Sequence, residues 1–181
     1  PPSNSTRTVR AAAGAWPVKS VEAMARICGG AESQFEMDTN FEQAQRNLER
    51  ADHAIAMATM FLAEHIGVSA IVAMTESGGT ALFLSRFHAY APIYAISRHG
   101  EARRQMALMR NVYPIGFDSR GLTPREAARG SIRLLVETAL LTPGDRVVFT
   151  SGEHMETHGA TNTLRLLEVG EDGRASGLGD L

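Results

Sequence analysis

Short apolar runs alternate with helical segments along most of this chain, and this alternation restricts the folds that it can adopt. Five runs rich in Val, Ile and aromatic residues predict β-strands. The predicted strands are Ile71–Met74, Ile93–Ile96, Tyr113–Phe117, Val147–Thr150 and Thr163–Val169. The helical patterns between the first four strands are Thr80–Phe87, Glu101–Met109 and Pro124–Leu140. Strands that alternate with helices build βαβ units, so we expect a three-layer αβα domain with a mostly parallel sheet.

The last connection and the segments before the first strand complete the expected architecture. Ser151–Asn162 is polar and too rich in glycine for a crossover helix, so the fifth strand is expected to be antiparallel, at the edge of a five-stranded sheet. Val21–Ile27 predicts a short helix that stops at Gly29-Gly30, and Phe41–His65 predicts a long one that ends at Gly67. The predicted apolar face of the long helix comprises Ala54, Ile55, Ala58, Phe61, Leu62 and His65.

The composition of the chain excludes several classes of function. Its 181 residues carry a formal net charge of −2, whereas a nucleic-acid or membrane-surface protein needs a basic patch, so neither partner is expected. The sequence contains no apolar run near the roughly 20 residues of a membrane span, and no signal-peptide pattern. The single cysteine, Cys28, cannot form an internal disulfide. These features predict a cytoplasmic protein.

The loop between the first strand and the helix after it is the best candidate for a binding site. It offers three hydroxyls, from Thr75, Ser77 and Thr80, and two glycines, Gly78 and Gly79, at a predicted helix N-terminus. Unpaired backbone N–H groups and the helix dipole favour an anion there, and glycine lets the backbone approach it closely. We interpret the loop as a phosphate site. The alternative is that Ser77 or Thr80 merely caps the helix.

Three further loops are expected at the same edge of the sheet, because the carboxyl ends of parallel strands lie together. They are Ser97–Gly100, Asp118–Thr123 and Ser151–Asn162. The first adds the guanidinium of Arg98 and the imidazole of His99. The last is polar along most of its length and contains His154 and His158, whose surroundings are typical of a surface loop rather than of a helical metal site. Several phosphate-compatible loops at one edge favour a binding site.

A catalytic site is less well supported than a binding site. The phosphate-binding loop of nucleotide hydrolases requires a lysine, and the only lysine of this chain is Lys19, in the N-terminal segment. Glu76 stands isolated beside the glycines, and no acid–base pair or Ser/His/Asp set can be assembled from the predicted topology. The residues by themselves therefore favour a binding module.

Five sequence motifs occur in an order and spacing that resemble the C-terminal domain of bacterial pyruvate kinases. They are Val68–Ala81, Ala91–Arg98, Val112–Pro114, Pro143–Val148 and Gly159–Thr163. The resemblance extends from about Ala13 to Gly170. The Ser-Arg-His version of the second motif and the Gly-Ala-Thr-Asn-Thr version of the last look more like the class activated by AMP or sugar monophosphates than like the fructose-1,6-bisphosphate class.

The resemblance implies a regulatory rather than a catalytic domain, with a mixed five-stranded sheet and a contribution to a tetramer interface. In the family, the loop that matches Thr75–Thr80 holds an effector phosphate, which carries over to Thr75, Ser77, Gly78, Gly79 and Thr80. A second loop closes over the effector, and its matching residues here are His154, Thr157, His158 and Gly159. The expected partners are a phosphorylated effector, either AMP or a sugar phosphate, and further copies of the chain.

The catalytic barrel of the family should precede this segment and is absent from the sequence. No cofactor is expected in this chain, because the resemblance places the Mg and K ions of the enzyme in that barrel, and the chain alone is expected to be inactive. Residues 13–32 look like the last helix of the barrel, and residues 33–170 like the C-terminal α/β domain. Residues 1–12 are expected to be disordered or artificially added, since Val9-Arg10-Ala11 replaces the family's Gly-Glu-Thr, and residues 171–181 are expected to form a flexible tail.

Two alternative functions belong to other classes. A stand-alone phosphosugar-binding or isomerase-like domain also carries a Ser-Gly-rich loop after a strand, but it would need a positioned acid–base pair. A pure assembly module with a vestigial site would associate through the edge strand Thr163–Val169 and would not respond to phosphates.

Overall fold

The computed structural model describes residues 14–33, 51–87, 90–152, 161–171 and 175–176. These residues fall into two compact units, one within Pro1–Asp38 and one within Thr39–Leu181. The first unit contains helix α1, Pro17–Ser33. The prediction that this helix stops at Gly29-Gly30 is wrong, because it continues through both glycines, and neither has a positive φ. A glycine in a helix interior lowers the stability of the helix by only about 0.5–1 kcal/mol relative to alanine, so it need not end the helix.

The second unit alternates helices and strands in the predicted order. Its helices are α2 (Ala51–Ile66), α3 (Gly79–Ser85), α4 (Gly100–Met106) and α5 (Pro124–Glu137). Its strands are β1 (Ala70–Met74), β2 (Ile93–Ser97), β3 (Val112–Gly116), β4 (Arg146–Gly152), β5 (Thr161–Val169) and β6 (Ala175–Ser176). Helix α2 ends as predicted at Gly67, which has a φ of 64°.

The strands form one sheet in the order β3-β2-β1-β4-β5-β6. Strands β1 to β4 are parallel, with Ile71 opposite Ile93 and Ser97 opposite Gly116. Strand β5 runs antiparallel to β4, with a register shift at Ser151/Gly152. This architecture confirms the predicted fold class and its antiparallel fifth strand. The short β6 is a sixth strand, which the sequence did not predict. It pairs with β5 at Glu168 and Val169. Two residues are too few to show an alternating pattern in sequence.

Each face of the sheet is covered by its own core. Helices α2, α3 and α4 pack on one face, where Met60, Leu84 and Met106 meet Ile71 and Ile93. Helix α5 packs on the other face. Its core residues there are Ala127, Ala128, Ile132 and Leu135, which meet Val72, Ile96, Val147 and Phe149. The sheet is therefore the central layer of three.

The prediction of the apolar face of α2 is wrong, because the buried face is displaced by about one residue from the predicted one. The buried residues of α2 are Asp52, Ala56, Thr59, Met60 and Ala63. Phe61 is instead 51% exposed and stacks on the ring of His65 at a centroid distance of 4.0 Å. Apolar residues lie on every side of this helix, so periodicity alone selects no face. The small side chains of Ala56 and Ala63 lie toward the sheet, where they leave room for a close approach.

Candidate functional site

The loop after β1 is held by a hydrogen bond inside the loop itself. The N–H of Gly78 donates to Oγ1 of Thr75 at 3.0 Å, and the N–H of Thr75 continues the sheet by donating to the carbonyl of Ile96. Gly78 has a φ of 86° and precedes α3 as its N-cap residue, without a side-chain capping bond. The alternative in which Ser77 or Thr80 caps the helix is therefore wrong.

Glycine is required at position 78 for two reasons. Its positive φ is costly for any residue with a Cβ atom. In addition, a Cβ placed there would lie 2.9 Å from Cγ of Met106, a fully buried side chain of α4. The glycine therefore allows the loop to pack directly on the core.

The predicted phosphate-binding hydroxyls occupy different surroundings. Oγ1 of Thr80 is buried and lies 2.7 Å from Oγ1 of Thr161, the first residue of β5. Ser77 is exposed, and Oγ1 of Thr75 accepts the bond within the loop. The Thr80–Thr161 bond brings the start of α3 next to the start of β5.

Glu76, at the other side of this loop, is paired with two residues that follow β2. One of its carboxylate oxygens accepts from Nε of Arg98 at 3.2 Å and also from Nε2 of His99. The description of Glu76 as isolated is wrong, because its side chain is only 14% exposed and contacts both Arg98 and His99. Nε of Arg98 also lies 3.2 Å from Nε2 of His99, so the three side chains form one cluster.

The end of β2 reinforces this link between the two loops. Oγ of Ser97 donates to the carbonyl of Glu76 at 3.3 Å and accepts from the N–H of His99 at 3.2 Å. The sequence predicts Arg98 and His99 at this edge but predicts no partner for them. Their partner is Glu76, in the loop after β1.

A cavity of about 560 Å³ opens beyond β2 and β3. Its lining residues are Arg98, His99, Arg103, Gly116, Phe117, Asp118 and Arg120. Three guanidinium groups and an imidazole thus face one carboxylate. Cavities of about 300–1,000 Å³ are typical of small-molecule sites, so the space can admit a small metabolite.

Asp118 and Arg120 form an exposed ion pair at the rim of this cavity. Nε and Nη2 of Arg120 donate to the Asp118 carboxylate at 2.9 and 2.6 Å. The side-chain bonds from Arg120, aided by its backbone N–H, lower the pKa of Asp118 from 3.8 to about 2. Because the folded-state pKa is lowered, the pair stabilises the fold above pH 3.8, and this contribution is lost as the pH falls toward 2.

Arg103, which also lines the cavity, is not among the site residues predicted from the sequence. Its Nη1 donates to the carbonyl of Ser97 at 2.8 Å, and its guanidinium lies over Gly116, where a Cβ would be 3.4 Å from Cζ. A signal for it exists in the sequence. Helical side chains lean toward the N-terminus, so an arginine four residues after His99 points back to the edge where α4 begins.

The remaining predicted site residues, His154, Thr157, His158 and Gly159, lie outside the described residues. Of the four predicted loops, those after β1, β2 and β3 are described in full. They emerge at the same edge as Gly152, the last residue of β4. In the described part of the chain no helix is long and apolar enough to cross a membrane.

The topology places the loop after β1 at a switch point of the sheet. From β1 the chain continues through α3 to β2 on one side, whereas β4 adjoins β1 on the other side and follows β3. In open α/β sheets, the crevice between two such strands is the usual ligand site. Fold and loop together define the class of doubly wound α/β domains whose sites lie at the carboxyl ends of the strands.

Comparison with known proteins narrows this class to one family. Residues 53–167 match the family described as pyruvate kinase, alpha/beta domain. The chain is 42% identical to pyruvate kinase II of Salmonella typhimurium over 159 residues, 87% of this chain and 33% of that protein. It is 38% identical to a pyruvate kinase of Buchnera aphidicola over 161 residues and 37% identical to that of Haemophilus influenzae, with the same coverage. The chain belongs to the pyruvate kinase C-terminal α/β domain family, and it spans about a third of the length of these curated relatives.

Proposed function

We propose that this chain is the effector-binding and assembly domain of a pyruvate kinase, the enzyme that transfers phosphate from phosphoenolpyruvate to ADP. The observation that carries the proposal is the position of the Thr75–Thr80 loop at the switch point between β1 and β4. Membership of the pyruvate kinase family favours this function over a stand-alone phosphosugar isomerase.

The proposed ligand group is a phosphate held by uncharged donors. Ser77 is exposed and offers its hydroxyl, while Gly79 lets the backbone come close to the anion; the N–H of Gly78 is already bonded to Thr75. Thr80 is hydrogen-bonded to Thr161, so its main role in this proposal is to hold the loop against β5. The residues that follow β4, among them His154, Thr157, His158 and Gly159, are proposed to close over the rest of the effector.

The proposed effector is AMP or a sugar monophosphate. This choice is supported by the Ser97-Arg98-His99 and Gly159–Thr163 versions of two family motifs. In the whole enzyme the effector would bias an equilibrium between quaternary states, to the extent that it binds them with different affinities. The domain by itself is proposed to have no turnover, which an assay of the purified chain with phosphoenolpyruvate and ADP would check.

Isothermal titration of the chain with AMP, ribose 5-phosphate, glucose 6-phosphate and fructose 1,6-bisphosphate tests the effector site. We expect saturable binding of a monophosphate and at least about tenfold weaker binding to Ser77→Ala, since a hydrogen bond to a charged group contributes about 1.5–3 kcal/mol. Ser85→Ala, at the other end of α3, is the matched control and should bind like the parent chain.

Two results would contradict the proposed effector site. One is the absence of heat with all four ligands at millimolar concentration from a chain that is folded by circular dichroism. The other is equal affinity of the parent chain and Ser77→Ala. Thr80→Val is a poorer test, because it leaves the buried hydroxyl of Thr161 without its partner and so lowers stability as well.

A further inference from the structure

We propose that the cavity beyond β2 and β3 is a second anion site, which takes a phosphate group, either inorganic or as a small monoester, with Arg103 as its principal cation. No residue of the Thr75–Thr80 loop lines this cavity, and the proposal does not depend on the function proposed for that loop. Its lining comes from the loops after β2 and β3 and from helix α4.

The charge balance of the cavity leaves one guanidinium for a ligand. Arg98 is paired with Glu76, and Arg120 is paired with Asp118. Arg103 donates to the neutral carbonyl of Ser97, and within the described part of the chain no carboxylate lies at ion-pair distance from it. A partly buried cation that lacks a counter-charge attracts an anion more strongly than a fully solvated one.

The guanidinium of Arg103 is also held in one place. Nη1 is anchored by Ser97, and the group lies against Gly116, whose missing side chain leaves the space that it fills. This leaves Nε and Nη2 to donate to a ligand. Two N–H groups in a planar fork match two oxygens of a phosphate, and a group already fixed loses little entropy on binding.

The neighbouring polar side chains and the size of the cavity fit the same ligand. Arg120 and the imidazole of His99 line the same space as Arg103, so a phosphate would meet polar groups from more than one side. The volume of about 560 Å³ exceeds that of a phosphate ion and leaves room for a small organic group. The bidentate pairing with Arg120 occupies both oxygens of Asp118, which reduces the repulsion that this carboxylate exerts on an anion.

The test is a titration of the ¹⁵N-labelled full chain with inorganic phosphate and, in parallel, glycerol 3-phosphate, at constant ionic strength kept with chloride. We expect saturable shifts of the Arg103 and Gly116 backbone amides. Arg103→Met should weaken the binding at least about tenfold, and Arg103→Lys, which keeps the charge without the fork, by an intermediate factor. Arg104→Met is the matched control and should bind within about twofold, since Arg104 does not line the cavity.

The two ligands distinguish the sources of the phosphate group. Equal affinities would assign the site to free phosphate, and tenfold tighter binding of the ester would assign it to a phosphorylated metabolite. The proposal is overturned if neither ligand shifts these amides, or if a folded Arg103→Met binds like the parent chain. Should Arg103→Met not fold, Arg103→Lys with unchanged affinity would overturn it equally. Shifts confined to residues 77–80 would support the effector site and reject the cavity.

Discussion

Two glycines with a positive φ differ in what constrains them. Gly78 combines a φ of 86° with a contact to Met106 of α4. Gly144 has a similar φ of 89° but no atom within 4 Å of the position of its Cβ. A side chain at position 144 would therefore cause backbone strain alone. A side chain at position 78 would cause backbone strain and a steric clash.

Replacement of each glycine by alanine should reveal this difference. We expect Gly144→Ala to lower the free energy of unfolding by about 1–2 kcal/mol, the cost of a left-handed conformation with a Cβ atom. Gly78→Ala should cost about 1–3 kcal/mol more, because the new methyl group displaces a buried side chain. Urea denaturation of the two variants measures both quantities. Equal losses would show that Met106 moves aside freely.

At the scale of elements, helix α5 carries the clearest local signal. Thr123 and Glu126 form a capping box in which the Thr123 hydroxyl accepts from the N–H of Glu126, and the Glu126 carboxylate accepts from the N–H of Thr123. The bonds from Thr123 also lower the pKa of Glu126. Pro124 follows at the first helical position, where its missing N–H costs nothing.

Removal of the cap should destabilise the domain by a measurable amount. Thr123→Ala is expected to lower the free energy of unfolding by about 0.5–2 kcal/mol. Thr138→Ala, at the other end of the same helix, is the control. Its hydroxyl donates to carbonyls that have other donors, so we expect a loss within about 0.5 kcal/mol. Thermal denaturation compares the two, and a loss as large for Thr138→Ala would contradict the role of the cap.

At the scale of the whole molecule, the side of β5 that faces away from β4 is incompletely paired among the described residues. Strand β6 covers β5 only at Glu168 and Val169. Residues 161–167 pair with β4 on one side. On their other side they pair with no strand among the described residues. Open strand edges accept a strand from another chain. The proposed assembly of this domain would use this edge, on which Leu166 is 39% exposed.

A charge on this edge should therefore oppose association. We expect the parent chain to self-associate and Leu166→Lys to weaken the association at least about tenfold, as edge lysines do in natural sheets. Leu108→Lys, in the turn before β3 and 91% exposed, should leave it unchanged. Sedimentation velocity over a range of concentrations measures the association. A parent chain that is monomeric throughout would reject assembly through β5.

Local patterns in the sequence determined the elements and their order. Alternating apolar runs and helical segments sufficed for the strands β1 to β5 and for the antiparallel return of β5. The polar loops followed from the same topology, since parallel strands bring their carboxyl ends to one edge. These features depend on residues near one another in the chain, so they can be predicted without knowledge of the packing.

The tertiary structure alone decided which residues meet across that edge. The bonds of Glu76 with Arg98 and His99, the Thr80–Thr161 bond and the position of Arg103 over Gly116 join residues from different elements. The buried face of α2 was likewise selected by the sheet and not by its own periodicity. Such contacts depend on the spacing and register of packed elements. The residues next to a side chain in the sequence do not determine that spacing or register, so these contacts could not be predicted.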